Sequence, residues 1–376
     1  MVTLIFELED NDNLIEAWAK VFMLWVPQCN LDFLIEEVVP KLMPLTSLKE
    51  KLSQRILSGE MLLEVCSVHG ENAFEKEQKL LNLALSFWDD INWKIRKLAA
   101  NRLKRIIKHS QKYLIDKPET YDVIVEQLQE LMGDEENFVK LEAFESILKS
   151  LPHIKPADFE ERFAPTIKEI FEKEVEEHEE LQYSMASLCG ELLFELKKLN
   201  MHHLLVDQII EFYETLITSE NEELRKRATY NLPFFFSEFY VDDEDESLES
   251  TEGETKIYIN KVKWKKYLEK LAHDEWDEIR ITLAGWFHEI WFKVTNGHKP
   301  LGFWKRILFD FMKDENERIM ALMSKNIEKY IKMYESETTA DSWEDIEVFP
   351  EEAKEENNDY RNQERTPKGI IFLTIF

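Results

Sequence analysis

The stretch HDEWDEIRITLAGWFHEI, residues 273–290, decides the reading of this chain. It opens on an acidic turn at Asp274, reaches Ile279 five positions on and Arg280 six on, then continues with apolar residues at three- and four-residue steps. That is the pattern of an amphipathic helix with a polar start. The frame recurs at Asp90 with Ile95-Arg96, at Asp134 with Val139-Lys140 and at Asp314 with Ile319-Met320. Weaker copies start at Asp10, Ser47, Glu176 and Ser219, the last leading to Leu224-Arg225. Successive starts are 37, 43, 44, 42, 43, 55 and 40 residues apart. A period near forty in a helix-forming chain predicts an all-α solenoid of antiparallel helix pairs, in which each unit buries its apolar face on its neighbours.

Each unit reads as a first helix followed by a second. First-helix candidates are 31–45, 74–88, 121–133, 159–175, 203–218, 262–273 and 302–313. Pro118 and Pro156 open such segments, where a missing N–H costs nothing. Pro40 and Pro165 fall inside them and predict bends. The second helices follow the acidic turns, with Asp90, Asp134, Asp274 and Asp314 as expected N-caps. Ala99, Ala143, Ala186, Ala228 and Ala284 come at similar depth and predict close helix approach. Arg96, Lys140, Arg225 and Arg280 all lie six after their starts, so stacking predicts a ladder in which each base meets the acidic turn of a neighbouring unit.

Composition narrows the function. Hydrophobic residues make up 44% and charged residues 33%, and the formal net charge is −29. An acidic chain repels phosphate backbones, which argues against nucleic acid. Three cysteines, Cys29, Cys66 and Cys189, point to a reducing compartment rather than a disulfide framework. No run of eighteen apolar residues predicts a membrane span, and the cytoplasm or the nucleus is the expected location. Residues 241–256 hold eight acids and one lysine and account for the 55-residue step. They read as a disordered insertion. The domain reading is therefore a solenoid over 1–335 of about eight helix pairs, interrupted at 241–256, and an acidic, disordered tail over 336–376. The apolar end GIIFLTIF reads as a product of truncation or of an alternative reading of the gene, and the front end reads as cut within a first repeat.

No catalytic, metal or cofactor set emerges, since phosphate-loop, dinucleotide, HExxH and CxxC patterns are all missing. His202-His203 are adjacent and point apart on a helix, and His288 sits in an apolar helix as a structural histidine. Trp93, Phe138 and Trp276 stand beside the acidic turns, either as anchors for a partner or packed on the next turn. Trp264, Trp286, Trp291 and Trp304 read as core.

Four stretches carry a family resemblance: LSQRILSGEMLLEV (52–65), EENFVKLEAFESILKSL (135–151), LRKRATYNLPFFF (224–236) and HDEWDEIRITLAGWFHEI (273–290). The chain resembles the HEAT-repeat scaffolds of serine/threonine protein phosphatases, within them the regulatory subunits of phosphatase 4. The resemblance implies a right-handed superhelix of helix pairs and a non-catalytic subunit. Such a subunit holds a catalytic subunit of the phosphatase 4 or phosphatase 2A kind and sets its location or partners. It also implies that the turns within each helix pair form the gripping ridge. The matching turn positions are Asn92, Trp93, Glu135, Asn137, Phe138, Trp276, Asp277, Asn316 and Glu317. The alternative is a karyopherin-like or other HEAT adaptor for a basic protein. An acidic face on the second helices would favour that alternative, and a mixed ladder of acids and bases favours the scaffold.

Overall fold

The computed structural model describes residues 12–239, 261–295 and 303–335. The start at Asp10, the acidic segment 241–256 and the tail 336–376 lie outside the described residues. Among the described residues every regular element is helical. Helix α1 (Asp12–Trp25) leads in. Seven pairs follow: α2 (31–42) with α3 (Leu52–Lys76), α4 (Gln78–Trp88) with α5 (Trp93–His109), and α7 (Pro118–Met132) with α8 (Asn137–Ser150); then α9 (156–177) with α10 (Glu179–Lys198), α11 (Val206–Thr218) with α12 (Glu222–Phe239), α13 (Lys261–Ala272) with α14 (Asp277–Thr295), and α15 (Phe303–Met312) with α16 (Glu317–Glu335). A short α6 (Gln111–Asp116) bridges α5 and α7. The second helices pack along one another, α3 on α5, α5 on α8, α10 on α12 and α12 on α14, while the first helices form the other layer. This is a HEAT-type α-solenoid.

The packing follows from the small residues. Ala99, Ala143, Ala186, Ala228 and Ala284 are all fully buried between the layers. Around them lies one continuous core from Phe22 to Tyr330. Two aromatic clusters dominate its later half. Tyr213 stacks on Phe235 at 3.7 Å and on Trp264 at 5.5 Å. Phe287 meets Trp304, Phe311 and Tyr330. Buried aromatics of this size stabilise by about 1.5–3 kcal/mol each, so truncating Phe287 would loosen three helices at once. Trp264, Trp291 and Trp304 are buried as expected, whereas Trp286 is only half-buried, edge-on to Tyr230.

The bends have a local cause. Pro40 and Pro165 cannot donate to the preceding turn, and their rings crowd it. In both helices the chain widens into a π segment just before the proline, Leu34–Val38 in α2 and Phe159–Phe163 in α9. One expected boundary needs correction. Residues 74–76 belong to the end of α3, not to the first helix expected at 74–88. Helix α3 runs on through a kink at Gly70, whose φ of 45° favours glycine. A side chain there would also collide with the backbone of His109. Asn200, two residues past the end of α10, takes the left-handed conformation with φ 57°. The amide of Met201 donates to Leu196 O at 2.8 Å, a left-handed cap.

Candidate protein-binding ridge

The turns within the helix pairs share one construction. Asp90, Asp134, Asp274 and Asp314 each accept the amide two residues on, at 2.8, 2.9, 3.1 and 2.8 Å. The carboxylates thus shape the turn and are not the N-caps expected from the sequence. Asn92 caps α5, accepting from the amide of Lys94, and Glu136 stands at the N-cap of α8. The reason is geometric, since the aspartate folds the chain back two residues before the first helical turn.

The base six residues on then joins two turns. Arg96, Arg225 and Arg280 each donate back to the carbonyl that opens their own turn, Asp90 O, Ser219 O and Asp274 O, at 2.9, 2.8 and 2.7 Å. Each also reaches the carboxylate of the next unit with two bonds. Arg96 meets Asp134 at 2.6 and 2.8 Å, Arg225 meets Asp274 at 2.8 and 3.0 Å, and Arg280 meets Asp314 at 2.8 and 3.3 Å. The planar guanidinium fork suits this paired geometry. Lys140 bonds instead to Glu174 at 2.5 Å, at the end of a π segment of α9. Arg55 pairs with Asp90, a rung missing from the sequence reading. Between the Glu176 and Ser219 turns no charged rung is found among the described residues; Asn221 donates to the Tyr183 hydroxyl at 2.8 Å in its place. Burial alone would raise the Asp134 and Asp314 carboxyls. The hydrogen bonds and charges of Arg96 and Arg280, with one amide each, outweigh it and hold both below the ordinary carboxylate value.

On this frame the outward residues form two clusters. In the first, Trp93 is half-buried and stacks on Phe138, ring centres 5.9 Å apart, with the Lys97 ammonium 5.2 Å over Phe138. Phe138 keeps 43% of its surface exposed, and Ile91 beside them is 79% exposed. Glu135 is exposed, and Asn137 and Asn92 are half-buried beneath. In the second, Trp276 is 47% exposed. Asp277 accepts from Arg280 and from Asn316 at 2.7 and 2.9 Å, and Glu317 is exposed at the next helix start. Leu48 and Met320 extend the exposed apolar row at either end. Between the clusters, the α9–α10 and α11–α12 turns present His178, Glu179, Glu222 and Glu223 instead. Leu48, Ile91 and Met320 were missed in the sequence. For Leu48 and Ile91 the available signal was a large apolar residue flanked by polar ones in the turn; Met320 follows Ile319 inside its helix and carries no such signal.

Elsewhere the described residues hold no group of three or more His, Cys, Asp or Glu side chains able to bind a metal, and no helix long and apolar enough to cross a membrane. The rings of His202 and His203 lie 6.2 Å apart at 82°. The three cysteines are free thiols, with Cys66 and Cys189 buried and pushed up to about 12.

Comparison with known proteins follows the same lines. No family profile matches the chain. Serine/threonine-protein phosphatase 4 regulatory subunit 4 of Mus musculus is 23% identical over 327 residues, covering 79% of this chain and 34% of the relative. The Homo sapiens protein of that name gives the same identity and coverage. The chain thus spans about a third of the length of the curated relatives it matches. Among solved structures, a Kap121p mutant superposes with a TM-score of 0.55 at 11% identity, over 88% of this chain and 33% of that one, a likeness of fold alone. The chain is a HEAT-repeat α-solenoid similar in sequence to the phosphatase 4 regulatory subunit 4 proteins.

Proposed function

We propose that this chain is a non-catalytic scaffold that holds a serine/threonine phosphatase catalytic subunit of the phosphatase 4 or 2A kind and directs its location or partners. The observation that carries this reading is the sequence likeness to regulatory subunit 4, which extends over 79% of the chain. The geometry supports a place for the contact. Phe138 with Trp93, and Trp276 with Asp277 and Asn316, stand on turns braced by the arginine–aspartate rungs. Partly exposed aromatics on a rigid frame are the usual anchors of protein interfaces. Both signs of charge occur on the second helices, as in the Arg102–Glu60 and Arg318–Glu278 pairs, which favours this reading over an acidic groove for basic cargo. The cytoplasm or the nucleus is the proposed location. The test is a pull-down from cell extract with the chain as bait, read by mass spectrometry. Enrichment of a phosphatase 4 or 2A catalytic subunit is expected. Enrichment of basic nuclear cargo without any phosphatase would overturn the reading.

A further inference from the structure

The junctions between successive second helices are not alike. Between α3 and α5, buried Glu64 accepts from both Arg102 and Arg105, each at 2.9 Å, and the His109 ring meets the Ser67 carbonyl. Between α5 and α8, the buried Ser146 hydroxyl donates to Ala100 O at 2.6 Å. Between α10 and α12, buried Asn231 donates to Ala186 O at 2.8 Å, and a Cβ added at Gly190 would come within 2.6 Å of the Asn231 side chain. The α12–α14 junction has the buried Arg225–Asp274 pair, and α14–α16 has Arg280–Asp314 and the Trp291–Tyr330 stack.

The α8–α10 junction lacks any such buried tie among the described residues. Its direct link is Lys149–Glu191, with side chains 41% and 31% exposed. Lys140 turns from α10 to Glu174 on α9, with one ammonium where the other rungs have a fork. Ser150, one turn beyond Ser146, holds a buried hydroxyl that makes no hydrogen bond. Helix α9 at this junction carries two π segments, Phe159–Phe163 and Ile170–Glu174. An exposed ion pair contributes little and is screened by salt. Breaking a buried tie, by contrast, strands a polar group away from water.

We infer that the solenoid bends at the α8–α10 junction, as two stiffer arms, α3 to α8 and α10 to α16. Because each unit touches only its neighbours, the weakest junction takes most of the bending. The arms divide the ridge, since Trp93 and Phe138 ride on the first and Trp276 on the second. The hinge therefore sets the span between the two anchor clusters, and a partner touching both fixes its angle. Only this consequence rests on the ridge reading; the hinge stands on the junctions themselves.

The test uses the full chain without any partner, so that it can fail independently of phosphatase binding. Half-buried Cys29 is replaced by serine, and nitroxide labels are placed at exposed Asp89→Cys with Glu179→Cys, or at Glu179→Cys with Glu275→Cys. Both pairs span two junctions, and only the first includes α8–α10. Pulsed electron paramagnetic resonance is expected to give a distance distribution about twice as wide for the first pair. Lys149→Glu, which sets like charges against each other, should widen the first distribution further and leave the second unchanged. Equal widths in the unaltered chain would overturn the hinge, as would a Lys149→Glu variant that folds and widens neither or both.

Discussion

Arg225 and Asp274 form the most enclosed of the arginine–aspartate rungs on the ridge, with side chains 7% and 4% exposed. Their two bonds, and the bonds from Arg225 to Ser219 O and Glu220 O, engage four of the five N–H donors of that fork. A buried pair is weak evidence of net stabilisation, but removing one partner strands the other. Arg225→Ala should therefore lower the unfolding free energy by about 3–5 kcal/mol, measured by urea denaturation. A loss under about 1 kcal/mol would show the rung to be no better than a surface pair. His288 gives a pH signature. Burial, with the Lys329 ammonium 2.8 Å from Nε2, pushes its pKa down to about 4. The folded state then binds fewer protons than the unfolded state between the ordinary value, about 6.5, and about 4. Stability is full above that window and falls as pH drops through it, by about 3 kcal/mol in all. A His288→Phe variant should lose that part of the slope, and parallel pH profiles for both proteins would contradict the assignment. The bases six after each turn were legible because the frame repeats. Arg55 was not, since it falls eight after the Ser47 start and outside the frame.

At the scale of the helices, alternation of long apolar faces with acidic turns gave the pairs and nearly all their order. What it missed was backbone detail. The end of α3 cannot be told from the start of α4 by periodicity, because both segments are apolar at helical steps and the break at Glu77 has no glycine or proline. The prolines at 40 and 165 announced bends, and the π segments that absorb them have no separate sequence signal. Two glycines test the packing directly. At Gly285 an added Cβ meets nothing within 4 Å, so Gly285→Ala should stabilise by about 1 kcal/mol through helix propensity alone. At Gly190 it would press on Asn231 and Phe234, so Gly190→Ala should destabilise by about 1–3 kcal/mol. Thermal melts of the two variants should move in opposite directions. Movement in the same direction would mean that α10 and α12 are not held in this close contact.

For the molecule as a whole, the forty-residue period disclosed a surface rather than a cavity, and fold alone leaves the occupant of a surface open. Sequence placed Trp93, Phe138 and Trp276 near turns and left open whether they pack or project. The structure divides them: Trp93 lies half-covered against Phe138, while Phe138 and Trp276 keep nearly half their surface in solvent. No pattern in the chain distinguishes those outcomes, because exposure depends on how far each unit rotates on the next. The central claim is that these two aromatics anchor a phosphatase catalytic subunit. Titration of the purified phosphatase 4 catalytic subunit against the chain, and against a Phe138→Ala/Trp276→Ala variant, tests it most directly. The account predicts saturable binding that weakens by about thirtyfold or more in the variant, the loss of at least one anchor of about 2 kcal/mol, with the melting temperature unchanged. No binding by the unaltered chain, or equal binding by the variant, would contradict it.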